Sequence, residues 1–425
     1  MFWGEKEYFS PHNPLLTTGD FMVNSRIMNV NTDLGKIEEL LSRGTEDIFV
    51  YDELKALLLS GRPLRVKLGI DPTGPNLHLG RAVVLRKLKA FQDLGHTIVL
   101  IIGDFTAQIG DASDKSEKRP MLTREAVNEN FKNYREQIAT ILDISKIEFQ
   151  YNSDWLSKLG FQEISELAEC FSVQQMSSRR NFKDRLDRGD EVSLREFLYP
   201  LMQGYDSVAV KSNVEIGGFD QLFNLKAGRT IQRRFGLPEQ SVLTVQMLEG
   251  TDGRKMSTSW GNIITIVDEP NDMYGKVMAI HDDLIVKYFV LATDVVMSEI
   301  ESFKQDMEAG TNPRDIKMRL AREIVTLYHG EDSARIAEEN FVSVFQKGNT
   351  PEEMEELHAR KGSLLSEVLV KEKIVASKSD FRRLVEGGGI TRLSDDMVID
   401  TAYYSIDAPD SFKIGKKRFV KIFLK

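Results

Sequence analysis

Residues 64–81 read "LRVKLGIDPTGPNLHLGR". The opening "LRVKLGI" (64–70) is a short apolar run, and Pro72, Gly74 and Pro75 end it. His78, Leu79 and Gly80 then lead straight into "RAVVLRKLKAFQDLG" (81–95), whose apolar residues recur at helical spacing. A strand that feeds through a turn into a helix is half of a βαβ unit. The same alternation continues along the chain. "HTIVLIIG" (96–103), "KIEFQYN" (146–152), "VEIGG" (214–218) and "SVLTVQM" (241–247) read as buried strands. "REAVNENFKNYREQIATILD" (124–143) and "DQLFNLKAGRTIQRRFG" (220–236) read as helices between them. This order predicts an α/β fold with a doubly wound parallel sheet. In such sheets ligands bind beyond the carboxyl ends of the strands.

That rule points to the segments just after the strands. In 69–81 the unpaired N–H groups of a helix start attract phosphate; His78 and Thr73 add side-chain donors, and Gly80 permits close approach. There is no G-x-G-x-x-G, so a hydride-transfer dinucleotide fold is disfavoured. "GRKMSTSWGN" (253–262) sets the Lys255 ammonium beside the hydroxyls of Ser257, Thr258 and Ser259, which suits a polyanion. A solvated turn has much the same composition, so this loop decides nothing alone. In "YPLMQGYD" (199–206), Tyr199, Gln203 and Asp206 fall at i, i+4 and i+7 of a predicted helix and share one face. A phenol, an amide and a carboxylate between apolar flanks suit a small ligand with an amine at one end and a hydroxyl at the other.

The chain has 425 residues, 41% hydrophobic and 28% charged, as in ordinary globular proteins of several domains. It has no apolar run long enough to span a membrane, and "MFWGEKEYFS" (1–10) does not resemble a secretory signal. One cysteine and six scattered histidines fit a reducing cytoplasm and argue against a structural zinc site, so no protein-held metal is expected. Net charge is −9, yet residues 361–425 carry thirteen Lys and Arg against nine Asp and Glu. A basic end on an acidic body marks a local polyanion contact. From about 270 to 350 helical stretches dominate; "FQKGNTPEEMEELHARKGS" (345–363) reads as a polar linker before a compact α+β unit.

Taken together, "HLGR" (78–81) and "KMSTS" (255–259) resemble the two signature sequences of class I aminoacyl-tRNA synthetases. The 199–206 helix, "GDFTAQIGD" (103–111), "YNSDW" (151–155) and "GGFDQLFN" (217–224) resemble the tyrosine pocket of the tyrosyl-tRNA synthetases. The likeness covers about residues 30–425. It implies a Rossmann-like catalytic domain (31–265), an α-helical domain (266–347), a linker (348–362) and an RNA-binding domain shared with a small-subunit ribosomal protein (363–425). Residues 1–30 form an N-terminal extension; the first 27 lie outside the likeness and are expected to pack poorly.

By that resemblance Asp206 receives the tyrosine hydroxyl, Tyr199, Gln203 and Asp111 hold the α-ammonium, and Thr106, Asn152, Gln221 and Lys67 complete the pocket. ATP, carrying Mg2+, is expected on Gly69, Asp71, Gly80, Gly218, Asp220, Leu248, Ser257 and Ser259. Thr73, His78, Arg81, Lys255 and Thr258 are the expected catalytic groups. Lys378, Arg382, Arg383, Lys416, Lys417 and Arg418 are expected to track tRNA phosphates. The likeness also implies a cytoplasmic homodimer acting on tyrosine, ATP and tRNA(Tyr). Arg81, Phe219 and Thr258 depart from the family pattern, Thr258 standing in place of the second signature lysine. Arg81 or Arg254 is expected to supply the missing charge. A tryptophanyl enzyme and a non-catalytic RNA-binding paralogue are the alternatives; Asp206 argues against the first and the intact pocket against the second.

Overall fold

The computed structural model describes residues 30–72, 74–111, 123–346, 354–395, 397–415 and 418–424. The expectations for residues 1–29, Thr73, Lys416, Lys417 and the side chain of Ser259 lie outside the described residues. Six strands form the main sheet: β1 (Thr45–Phe49), β2 (Arg65–Ile70), β3 (Thr97–Ile102), β4 (Ile147–Tyr151), β5 (Val214–Gly218) and β6 (Ser241–Val245). Their order is β1-β6-β5-β2-β3-β4. β2 to β6 are mutually parallel, and each lies where its apolar run predicts. The edge strand β1 pairs antiparallel with β6. Its "TEDIF" carries two adjacent acids and no buried residue, so composition did not announce it.

The chain winds from β2 through β3 to β4, then returns to place β5 and β6 on the other side of β2. The switch point therefore lies between β2 and β5. Only two rungs join them there, Val66 opposite Val214 and Lys67 opposite Glu215. Beyond these rungs β2 stays with β3 as far as Ile70, and β5 stays with β6 as far as Gly218. The two halves part, and a crevice opens at the carboxyl ends.

The helix Leu79–Asp93 buries Leu79, Ala82, Val83, Leu88 and Phe91, one apolar stripe at helical spacing. Side chains alternate along a strand, so Lys67 points away from Val66 and Leu68 and meets the helix Leu194–Ala209 instead. That helix packs closely on the helix Leu222–Arg234 because Gly204 sits at the crossing. A Cβ there would come within 2.6 Å of the Ile231 Cδ1 and 3.1 Å of the Ala227 backbone.

Between the sheet and residue 346, the described residues form the helices Pro270–Met278, Ile285–Ala292, Met297–Glu308, Pro313–His329 and Glu331–Gln346. Their buried residues belong to the same continuous core as the sheet, from Ile37 to Ala337. Arg43 fastens the junction by donating to the carbonyl oxygens of Val290 and Thr293 at 3.0 and 2.8 Å. Among the described residues no helix is long and apolar enough to cross a membrane.

The C-terminal unit has strands β7 (Glu355–Ala359), β8 (Ser363–Leu364), β9 (Ile390–Arg392), β10 (Met397–Val398), β11 (Ser405–Ile406), β12 (Asp410–Ile414) and β13 (Arg418–Leu424). Five of them form one sheet in the order β10-β9-β12-β13-β7. The helices Leu365–Lys371 and Lys378–Glu386 share its core, which includes Leu365, Leu369, Phe381, Phe412 and Val420. One expectation is corrected here. The segment 348–362 is not all linker, because β7 pairs parallel with β13 and buries Leu357 and Ala359. Its outward residues are charged or polar, and only two modest side chains carry the apolar face, so it read as linker.

The C-terminal core shares no buried residue with the cluster that runs from Ile37 to Ala337. A chain ending at Gln346 should therefore unfold cooperatively, with a melting temperature within a few degrees of the full chain's main transition. Circular dichroism melts test this; a lost or broadened transition would show that the C-terminal unit supports the body.

Candidate active site

The floor of the crevice is a chain of hydrogen bonds drawn from four elements. β2 delivers Asp71, the turn after β3 delivers Thr106, the end of β4 delivers Asn152, and the helix Leu194–Ala209 delivers Tyr199 and Asp206. The Tyr199 hydroxyl donates to Asp71 Oδ2 at 2.9 Å, and the Thr106 hydroxyl donates to Asp71 Oδ1 at 2.8 Å. Asn152 Nδ2 donates to Thr106 Oγ1 at 3.0 Å and to Asp206 Oδ2 at 3.3 Å. Trp155 Nε1 donates to the other Asp206 oxygen at 2.8 Å. Gly103 lets these groups converge, because a Cβ there would collide with both the Asp71 carboxylate and the Thr106 hydroxyl. Asp71, Thr106, Asn152, Tyr199 and Asp206, all foreseen from sequence, are thus brought together.

Burial governs the proton affinities. It pushes the Asp206 carboxyl up to about 7, against the opposing pull of the Lys67 ammonium and of the Trp155 and Asn152 donors. Burial, with the Asp71 carboxylate next, raises the Tyr199 phenol well above its ordinary value. Tyr199 therefore stays protonated and acts as a donor.

Lys67 does not meet its expectation. Its ammonium donates to the Gln203 carbonyl at 2.9 Å and the Ser207 hydroxyl at 2.8 Å, and pairs with Glu215 Oε1 at 2.9 Å. An ammonium has three donors, so none is left for a substrate. Gln203 is on the predicted helix, but its amide Nε2 donates to Glu215 Oε1 at 3.0 Å.

The other side of the crevice brings both signature segments together. The segment leading into the helix Leu79–Asp93 is zipped to the one after "KMSTS": Leu79 N donates to Ile264 O at 2.9 Å, and Ile266 N to Leu77 O at 3.0 Å. Gly80 N points at Met256 Sδ, 3.4 Å away. Burial first, then the charges of Arg81 and Lys255, push the His78 imidazole down to about 3. His78 is therefore neutral at physiological pH, and its buried Nδ1 has no hydrogen-bond partner among the described residues. Lys255 pairs with Asp220 at 3.1 Å, beyond the end of β5 at Gly218. Asp111 accepts from Gln221 Nε2 at 2.7 Å. Asn262 braces the loop by accepting from Ser257 N and donating to Asp252.

Both candidate substitutes for the missing lysine are engaged. Arg254 is paired with Asp252 and stacks over Trp260, whereas Arg81 donates to the Tyr134 hydroxyl at 2.5 Å beside His78. Thr258 opens a short exposed turn, Thr258–Trp260. Gly69 faces open space, Leu248 is buried, and Phe219 is half exposed.

Residues 59–346 match the family of class I tRNA synthetases for tryptophan and tyrosine. A tyrosine–tRNA ligase of Thermotoga maritima is 46% identical over 389 residues, 90% of this chain and 96% of that protein. One from Photobacterium profundum is 44% identical, covering 92% of this chain and all of that protein. The chain belongs to the tyrosine–tRNA ligase family. Solved tyrosyl-tRNA synthetases share its fold: a C-terminally truncated mitochondrial one from Aspergillus nidulans has a TM-score of 0.61 at 23% identity, covering 73% of this chain and 94% of its own. One from Archaeoglobus fulgidus, complexed with L-tyrosine, has a TM-score of 0.57 at 21% identity, covering 72% and 99%.

In this ligase the residues that sequence reasoning passed over are Trp155, Ser207, Glu215, Gln240 and Arg179. The first lies inside the quoted "YNSDW"; Glu215 could have been flagged as a carboxylate in an otherwise apolar strand. Arg179 is sandwiched between Phe182 and Phe223 and donates to Asn224 Oδ1 at 3.1 Å. On the C-terminal unit Arg382 is exposed, Lys378 and Arg383 pair with Glu367 and Asp380, and Arg418 donates to Ile374 O.

Two pH experiments follow. Because His78 is neutral from about pH 5 upward, His78→Asn should lower the rate of amino-acid activation without changing the shape of its pH profile between 5.5 and 8.5. An inflection that disappears in the variant would overturn this. Asp206 binds its proton more tightly folded than unfolded, so its stabilising effect as an acid fades as pH rises through about 7. Asp206→Asn should thus raise the melting temperature by more at pH 8 than at pH 5, with the gain levelling off above pH 7. An equal gain at both values would sink the assignment.

Proposed function

We infer that the chain joins tyrosine to tRNA in two steps: tyrosine and ATP form tyrosyl-adenylate and pyrophosphate, and the tyrosyl group then passes to the 3′ end of tRNA(Tyr). The observation that carries the choice of amino acid is Asp206, a buried carboxylate held by Trp155 and Asn152. A phenol hydroxyl supplies the donor that such a carboxylate needs, and an indole or a bare ring does not. Tyr199, Gln203 and Asp111 are assigned to the α-ammonium, with Thr106, Asn152 and Gln221 around the substrate.

The tyrosine carboxylate attacks the α-phosphate in line, and no covalent enzyme intermediate is needed. Catalysis is then positioning plus stabilisation of charge on the leaving pyrophosphate. His78 suits this role because a neutral imidazole with a free buried nitrogen adds a directed hydrogen bond. Lys255 adds charge, and Thr73, Thr258, Ser257 and Ser259 add hydroxyls. Arg81, beside His78, fits better than Arg254 as the substitute for the second signature lysine, since Arg254 is bound to Asp252 within its own loop. Gly69, Asp71, Gly80, Gly218, Asp220 and the backbone at Leu248 are assigned to ATP, which enters with its Mg2+ as part of the substrate.

We assign tRNA contact to Lys378, Arg382, Arg383, Lys416, Lys417 and Arg418, the helical region 270–346 to the anticodon side, and the protein to the cytoplasm. A homodimer is supported by the apolar side chains left outward between β4 and β5: Phe161, Val173 and Leu194 are 87%, 74% and 79% exposed.

ATP–pyrophosphate exchange tests the reading. Tyrosine should drive exchange, and tryptophan should not. Phenylalanine leaves Asp206 without the phenol's hydrogen bond and should be rejected strongly; tyrosyl-tRNA synthetases are themselves the standard case, on the order of 10⁵-fold. Comparable exchange with phenylalanine or tryptophan would overturn the substrate, and none with tyrosine would favour a non-catalytic paralogue.

A further inference from the structure

The polar cluster behind the pocket is closed on itself. Glu215 accepts four hydrogen bonds: Oε1 from Lys67 Nζ and Gln203 Nε2, and Oε2 from Ser207 Oγ at 3.1 Å and from Gln240 Nε2. That fills the acceptor capacity of a carboxylate, as the three bonds of Lys67 fill the donor capacity of an ammonium. Both side chains are buried, 0% and 1% exposed, and they face each other on the last rung before β2 and β5 part.

An ionised carboxylate accepts and never donates. The Gln203 amide must therefore turn its NH2 to Glu215, which leaves Oε1 as its outward end. Among the described residues that oxygen carries no hydrogen bond. An outward oxygen attracts an ammonium, whereas an outward NH2 repels one. Lys67 holds the arrangement from two sides, gripping Glu215 and the backbone carbonyl of Gln203 itself.

We propose that Lys67 and Glu215 are positioning residues that lock the Gln203 amide with its oxygen toward the substrate, so that the pocket selects ligands bearing an α-ammonium. The proposal rests on the reading of Gln203 as an ammonium ligand. Neither residue touches tyrosine. Glu215 sets which end of the amide the substrate meets, and Lys67 holds that carboxylate in place. Ser207 and Gln240 fill the remaining acceptor positions, so Glu215 has no reason to turn away from Gln203.

The experiment compares tyrosine with 3-(4-hydroxyphenyl)propionate, which keeps the phenol and carboxylate but lacks the ammonium. Equilibrium dissociation constants are measured for both on wild type, Glu215→Gln and the double variant Gln203→Glu/Glu215→Gln. Wild type should bind tyrosine far more tightly than the analogue; if it does not, the ammonium reading of Gln203 is itself wrong. In Glu215→Gln the glutamine at 215 can donate, which frees the Gln203 amide to flip. Tyrosine should then weaken by at least about tenfold, the scale of one charge-assisted hydrogen bond, while the analogue changes by less than about twofold. The unchanged analogue also reports that the pocket is folded. The double variant restores an outward acceptor and should recover tyrosine binding. Equal weakening of both ligands, no weakening of tyrosine, or a double variant no better than Glu215→Gln would each overturn the proposal. If Glu215→Gln does not fold, the double variant decides: it keeps a carboxylate in the cluster, and strong preference for tyrosine over the analogue is the expected result.

Discussion

Everything in the catalytic half depends on how β2 and β5 meet. A parallel sheet wound in both directions needs one place where neighbouring strands lead to opposite sides, and there the pairing is shortest. Here it is two rungs long. Too little pairing would let the halves slide; more would close the crevice. The second rung carries opposite charges in the buried interior, which is tolerable only because every donor and acceptor on both groups is used. A saturated ion pair fixes register more strictly than another Val–Val contact, which tolerates small shifts.

The site holds its charges at a thermodynamic cost, and the form of that cost suits the chemistry. Asp206 is buried deeply enough for its carboxyl to resist ionisation, and His78 deeply enough to refuse a proton. Such groups weaken the fold and are retained where function needs them. A desolvated carboxylate gains more from a phenol than a hydrated one would. A neutral imidazole among cations does not add to the repulsion between Arg81 and Lys255.

The parts of this molecule that could be read from sequence are those whose local pattern and global environment agree. β2, β3, β5 and β6 are mostly buried, and their largely apolar runs say so, whereas β4 is an edge strand whose residues are only partly buried. The helix bearing Tyr199 and Asp206 was legible because polar residues at i, i+4 and i+7 stood out against apolar flanks. β1 and β7 were missed because edge strands wear charges, and it is the neighbour each pairs with that makes it a strand. Side-chain direction was harder still. Lys67 sits where a pocket residue was expected and faces away, for reasons that lie 136 to 140 residues further on. Arg254 adjoins the signature lysine in sequence, yet Asp252 and Trp260 draw its guanidinium aside. Nothing in the structure explains Phe219.

The same rung has a meaning for how the chain reaches this state. Its two members come from halves of the sheet completed far apart in synthesis, so the closure joining them is non-local and slow. With Arg65 already paired to Glu148 on β4, a ribosome that has released only β2 to β4 presents Lys67 as the cation of β2 that still lacks its carboxylate. That charge discourages the half-sheet from pairing with another copy of itself. The lysine that later joins the ion pair behind the pocket is thus also a charge on the half-sheet's open edge until β5 arrives.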